Sequence, residues 1–130
     1  MTFFENKGVD SGRSSGNFLG KADTYFDRTT YIEKNFSAIK VPTITIDELL
    51  KELGNIRPDF IKLDVEGAEY LALLGAKGTL EQLRPIMYIE IHSMKNMFKV
   101  TKLLTSMRYE TDIAYIEPNG VCYLEARPLR

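Results

Sequence analysis

The sequence predicts an α/β fold built on a largely parallel sheet, with an antiparallel hairpin at the C-terminal end. Three observations carry that expectation. From Thr43 onward, segments of strand and helix character alternate. The two central strand segments, "DFIKLDVE" and "IMYIEIH", are apolar on one face and turn charged at their carboxyl ends. The last segments, "YETDIAYI" and "VCYLEAR", flank Glu117-Pro118-Asn119-Gly120, the composition of a hairpin turn. Alternating strands and helices favour parallel pairing through right-handed crossovers.

Each element has its own warrant. Residues 2–5, "TFFE", read as a short strand. Residues 6–35 contain Gly, Ser, Asp and Asn without a sustained period and read as one long loop. Within it, "SGRSSG" is either a flexible tip or a set of exposed N–H groups and hydroxyls (Ser14 and Ser15 beside Arg13) suited to a polar or anionic ligand. "FSAIKVPTITI", Phe36–Ile46, has strand composition, but Pro42 confines it to an edge or a broken strand. Thr45 and Glu48 form a capping-box pair, with Asp47 as a rival cap. The helix "DELLKEL" follows, placing Leu49, Leu50 and Leu53 on one face and ending at Gly54.

After the "DFIKLDVE" strand, a helix runs from Gly67 to about Leu74. Gly75 and Gly78 are expected to interrupt it, Thr79 and Gln82 to cap a further short helix, and Pro85 to end that one. "IMYIEIH" is the next strand. "KNMFKVTKLLTSM" is an amphipathic helix with Phe98, Val100, Leu103, Leu104 and Met107 opposite Lys95, Lys99 and Lys102.

Composition bounds the function. The chain has 130 residues, room for a single domain over 1–130, and no internal repeat. Seventeen basic and eighteen acidic residues give a net charge of −1, with no basic stripe to suggest nucleic acid or an anionic membrane. The single cysteine, Cys122, excludes an internal disulfide and a cysteine-rich zinc site, and in "GVCYLEA" it reads as a small core residue. No apolar run approaches the roughly 20 residues that span a bilayer. The N-terminus lacks a signal-peptide pattern, so a cytoplasmic setting is expected.

The acids are the informative residues. Strand alternation places Lys62, Asp64 and Glu66 on one face, and Tyr88, Glu90 and His92 on the matching face of the next strand. If the two strands are parallel neighbours, Asp64, Glu66, Glu90 and His92 converge at the carboxyl edge, where open α/β sheets bind ligands. The plainer readings are that Glu66 and Glu69 answer the dipole of a helix start, that Lys62 neutralises a nearby acid, and that His92 is a hydrogen-bonded strand end. As a site, the group suits general acid–base work, with His92 or a carboxylate taking a proton from a hydroxyl. Two or three carboxylates and one imidazole can also hold a divalent ion, as in a metal-dependent hydrolase-like site of Asp64, Glu66 and His92, although D-x-E and E-x-H fix no geometry. No metal is assigned on that spacing.

In order, "VPTITIDELLKE", "DFIKLDVEGAEYLALLGAKGTLEQLRP" and "IMYIEIH" resemble the FkbM family of S-adenosylmethionine-dependent methyltransferases. "TFFENKGVDSGRSSGNF" is similar to that family's strand and Ser/Gly-rich loop. The resemblance implies a truncated Rossmann-like class I methyltransferase fold and O-methylation of a hydroxyl on a sugar or secondary metabolite, a small-molecule acceptor. By the same likeness, His92, Glu90 and Asp64 are catalytic candidates. Asp64, Glu66 and Gly67 would meet the cofactor, and Lys62, Glu69, Ser14 and Ser15 the acceptor. The glycine-rich turn that holds S-adenosylmethionine in class I enzymes has no counterpart here, and the chain is expected to begin after the first three strands. The "IKLDV" strand would then lack a neighbour. Either a homodimer (or pairing with a missing N-terminal half) closes over that edge, or residues 2–5 and 36–46 rearrange to cover it. The alternative is a non-catalytic methyltransferase-like remnant that serves as an association module.

Overall fold

The computed structural model describes residues 1–6, 18–19 and 36–129. Ser14 and Ser15, assigned to the acceptor, lie outside the described residues. Two sheets form. The first is three-stranded, ordered β2-β1-β3, from β1 (Thr2–Asn6), β2 (Phe18–Leu19) and β3 (Phe36–Lys40), with both pairings antiparallel. The second is four-stranded, ordered β4-β5-β7-β6, from β4 (Phe60–Leu63), β5 (Ile86–Ile91), β6 (Tyr109–Ile116) and β7 (Cys122–Pro128). Four helices are described: α1 (Ile46–Glu52), α2 (Glu69–Leu74), α3 (Lys77–Gln82) and α4 (Met94–Ser106).

The expectation of a mostly parallel sheet is corrected. Only β4 and β5 run parallel, joined by the crossover through α2 and α3, while β5–β7 and β6–β7 are antiparallel. The hairpin inserts β7 against β5, so two of the three pairings in this sheet come from the hairpin's geometry. β3 pairs with β1 in the other sheet and stops two residues before Pro42. Residues 2–5 and 36–46 therefore do not cover β4, which remains an edge strand among the described residues, with Phe60 57% exposed.

The core lies on one face of the four-stranded sheet. Met87, Ile89 and Ile91 alternate along β5 and are fully buried, packed with Leu63, Leu124 and Ala126 against Leu73, Leu80, Val100 and Leu104 of the helices. Cys122 is buried there too, and burial pushes its thiol pKa up. On the opposite face, the Tyr88 and Tyr123 rings stack at 5.7 Å and the Tyr115 ring adjoins Tyr123 at 6.0 Å. The Tyr123 hydroxyl donates to Glu117 Oε1 at 2.8 Å, across the hairpin end.

Several local expectations shift for identifiable reasons. Thr45 and Glu48 do form the capping box of α1. Asp47 instead reaches α3, where its carboxylate accepts from Gly78 N, Thr79 N and the Thr79 hydroxyl at 2.8, 2.8 and 2.6 Å. Gly78 consequently sits inside α3 rather than breaking a helix: a Cβ there would come within 3.1 Å of Asp47 Oδ2. Thr79, spent on Asp47, caps nothing. The Leu49, Leu50 and Leu53 face of α1 is not buried, and Leu53 is 56% exposed. In α4 the buried stripe is Asn96, Val100 and Leu104, at i, i+4 and i+8. Phe98, two residues and so about 200° around from Val100, is 71% exposed rather than part of the apolar face.

Candidate active site

β4 stops at Leu63, just short of the acids. Asp64 follows, and the chain reverses over Val65–Ala68, closed by Ala68 N donating to Val65 O at 3.1 Å. Both central residues have positive φ, Glu66 at 49° and Gly67 at 88°, the signature of a type I′ turn. Glycine meets that demand without cost, while a glutamate held there carries strain of order 1–3 kcal/mol. Strand alternation therefore delivers Lys62 and Asp64 but not Glu66. It is the turn that swings Glu66 back toward the sheet.

The parallel register pairs Lys62 with Tyr88 and Leu63 with Ile89, which sets Asp64 beside the end of β5. There the predicted convergence is realised. His92 Nε2 lies 3.4 Å from Glu90 Oε1 and 3.5 Å from Glu66 Oε2, and ligand atoms of Asp64, Glu90 and His92 all fall within 4.8 Å of one another. Lys62 Nζ stands 3.6 Å from Asp64 Oδ2, both side chains well exposed.

Beneath this mouth lies a feature that the sequence did not announce. Glu69 is fully buried. Its Oε1 accepts from Gly67 N at 2.9 Å and sits 2.9 Å from His92 Nδ1, and its Oε2 accepts from the Asn96 side-chain amide. Asn96 Oδ1 in turn accepts from Tyr70 N at 3.3 Å, which orients the amide. Ser93 caps α4 by accepting from Asn96 N at 3.1 Å, fixing where the asparagine emerges. An ionised carboxylate only accepts, so the contact with Glu69 puts a proton on Nδ1 of His92 and turns Nε2 toward Glu66 and Glu90. Glu69, assigned by resemblance to the acceptor, is out of reach of one and acts on His92 instead. Gly67 is buried and offers its N–H to Glu69 rather than to the crevice.

The electrostatics follow from this packing. Burial alone would lower the His92 pKa. The hydrogen bond to Glu69 and the charges of Glu69, Glu66 and Glu90 outweigh it, so the imidazole is raised above its ordinary value. Glu90 is raised by burial and by the neighbouring charge of Asp64. Two titrating groups are thus pushed upward side by side at the carboxyl edge of the sheet, an arrangement typical of functional sites. Sequence reasoning missed Asn96. Its one available signal was a polar side chain at i−4 from Val100, on the stripe that helix periodicity buries.

The chain matches the methyltransferase FkbM domain over residues 2–111. It is similar to the hexuronic acid methyltransferase AglP of Haloferax volcanii, 29% identical over 100 residues, a stretch that covers 77% of this chain and 41% of the relative. The chain thus spans well under half the length of that curated relative. No solved structure matches it.

Proposed function

The chain belongs to the methyltransferase FkbM domain family, and on that premise we propose that the cluster of acids around His92 serves S-adenosylmethionine-dependent O-methylation of a sugar hydroxyl. The similar hexuronic acid methyltransferase favours a uronic acid or related carbohydrate as acceptor. The observation that carries the reading is the buried Glu69–His92 contact, which aims Nε2 at a mouth lined by Asp64, Glu66 and Glu90.

The donor set suits part of the cofactor. Carboxylates at the carboxyl edge match a sulfonium and an ammonium, both cationic, with Asp64 and Glu66 as the residues that would hold them. S-adenosylmethionine supplies an electrophilic methyl group. The chain's own work is to hold the acceptor hydroxyl at the crevice and receive its proton as the oxygen–carbon bond forms, at His92 Nε2 or the Glu90 carboxylate. Lys62, at the exposed rim, would contact a uronate carboxylate. Among the described residues there is no glycine-rich turn between a strand and a helix for the nucleotide end of the cofactor. We assign that task to a second polypeptide or another segment, and the β4 edge is where a second copy would add a strand.

Transfer of a labelled methyl group to hexuronic acid acceptors tests this. His92→Gln is expected to lose about 10²–10⁴-fold in rate. The wild-type rate should rise with pH along a limb displaced above the ordinary imidazole range, because the base works only when neutral. Full activity in His92→Gln would refute the assignment of the base. That the described residues hold no glycine-rich turn motivates a second reading, a folded remnant that binds no cofactor. Calorimetry separates the two: saturable S-adenosylmethionine binding supports the enzyme, and a folded chain that takes none supports the remnant.

A further inference from the structure

His92 Nε2 faces two carboxylate oxygens and makes no hydrogen bond among the described residues. Its distances to Glu90 Oε1 and Glu66 Oε2, 3.4 and 3.5 Å, exceed the roughly 2.7–2.9 Å of a closed charge-assisted bond. The carboxylates around Nε2 call for a positive centre, which either a proton on the imidazole or a divalent cation in its place supplies. Asp64 adds a third donor to the same gap. The imidazole is 9% exposed and is held from behind by a fully buried carboxylate on Nδ1. That is the arrangement by which proteins fix a histidine whose other nitrogen ligates a metal.

We propose that this gap binds a divalent transition-metal cation, with His92 Nε2, Glu90 and Asp64 as ligands and with Glu69 and Asn96 as the residues that keep His92 turned toward it. Two oxygens and one imidazole nitrogen suit Mn²⁺, Co²⁺ or Zn²⁺ better than Ca²⁺ or Mg²⁺, which prefer all-oxygen shells. Three protein ligands leave coordination positions open to solvent or a hydroxyl, as in sites that act on a bound oxygen rather than hold a fold together. Asp64 and Glu90 side chains are 42% and 16% exposed, so they have freedom to close on an ion that the buried histidine lacks. Lys62 is the competitor: its ammonium sits 3.6 Å from Asp64 Oδ2, and on a side chain 58% exposed it is free to withdraw. The inference concerns the same side chains as the methyl-transfer reading, but it does not depend on methyl transfer.

The sole histidine makes the test direct. The untagged, chelator-treated chain is titrated with Zn²⁺, Mn²⁺ and Mg²⁺ by calorimetry, while the imidazole ¹⁵N resonances report the ligating atom. One equivalent of Zn²⁺ is expected to bind and shift Nε2, with Mg²⁺ weaker by tenfold or more. Glu90→Gln and Asp64→Asn should each weaken binding, and Glu69→Gln should weaken it by about 10–100-fold without touching the ion. Lys62→Met should tighten it. Circular dichroism confirms that each variant is folded, and Glu90→Gln and Lys62→Met alter partly exposed side chains, which keeps the test decisive if Glu69→Gln unfolds. No saturable binding, binding that leaves the imidazole unmoved, or equal affinity for Mg²⁺ would overturn the proposal. Because neither cofactor nor acceptor is present, methyl transfer without metal binding would overturn this inference alone, and metal binding without methyl transfer would leave it standing alone.

Discussion

Glu69→Gln is the most searching single change at this site. The glutamate is fully buried and receives Gly67 N, the Asn96 amide and His92 Nδ1. Glutamine keeps the shape but supplies one acceptor oxygen and an NH₂ group, which must then face another donor. Losing a charge-assisted bond and stranding a buried donor costs about 2–4 kcal/mol. The cost depends on pH, and its sign is fixed. The folded-state pKa of His92 is raised, so its contribution to stability is full below the ordinary value of 6.5 and is lost as pH rises through the raised value. Glu69 supplies the hydrogen bond and part of the charge that raise it, so the substitution should hurt most in mild acid and less at pH 8.5. Urea unfolding in the presence of a chelator reads this directly. With an m-value of about 1.5 kcal/mol/M, the midpoint at pH 5.5 should fall by roughly 1.3–2.7 M with the slope unchanged. A midpoint unmoved at pH 5.5, or a gap that widens toward alkaline pH, would refute the view that Glu69 and His92 form a buried charged pair.

Two further outcomes concern the scaffold. Asp47→Ala removes three hydrogen bonds that tie α1 to α3, including those of the buried Thr79, and should cost about 2–3 kcal/mol in urea unfolding. Burial pushes the Asp47 pKa up, but the bonds from Thr79 and Gly78 win and hold it below 3.8, so the tie persists above that pH and is lost as pH falls through the lower folded value. An Asp47→Ala chain as stable as wild type at pH 7 would show the tie to be incidental. Leu80→Ala opens a void in the centre of the core and should cost about 2–5 kcal/mol by the same assay. A loss under 1 kcal/mol would mean that the helices close over the gap.

Local chemistry was legible, and long-range chemistry was not. Alternation in "IMYIEIH" located Met87, Ile89 and Ile91 in the core, the Thr45–Glu48 spacing gave the start of α1, and the charged ends of β4 and β5 pointed to where the crevice forms. What sequence spacing does not carry is which distant partner a side chain finds. Asp47 looked like a cap for its own helix and serves one more than 30 residues on. Glu69 looked like a helix-start acid and became the anchor of His92, because α4 supplies Asn96 from 27 residues away. Glu66 was placed by strand alternation, and a positive-φ turn brought it to the crevice by another route. The strand at 36–40 joined the other sheet for a similar reason: strand character does not name a pairing partner.

The tyrosine row on the sheet gives the protein a built-in optical reporter. The chain has seven tyrosines and no tryptophan, so its ultraviolet emission belongs to tyrosine alone. Rings this close, Tyr88 stacked on Tyr123 at 5.7 Å and Tyr115 tilted against it at 6.0 Å, exchange excitation, and their near-ultraviolet dichroism will register the pairing of β5, β7 and β6. Hydrogen bonding to Glu117 raises the Tyr123 pKa well above that of an ordinary phenol, so this ring resists ionisation in base. An alkaline absorbance titration of the folded protein should therefore fall short of its full tyrosinate count, and the missing fraction should appear on unfolding.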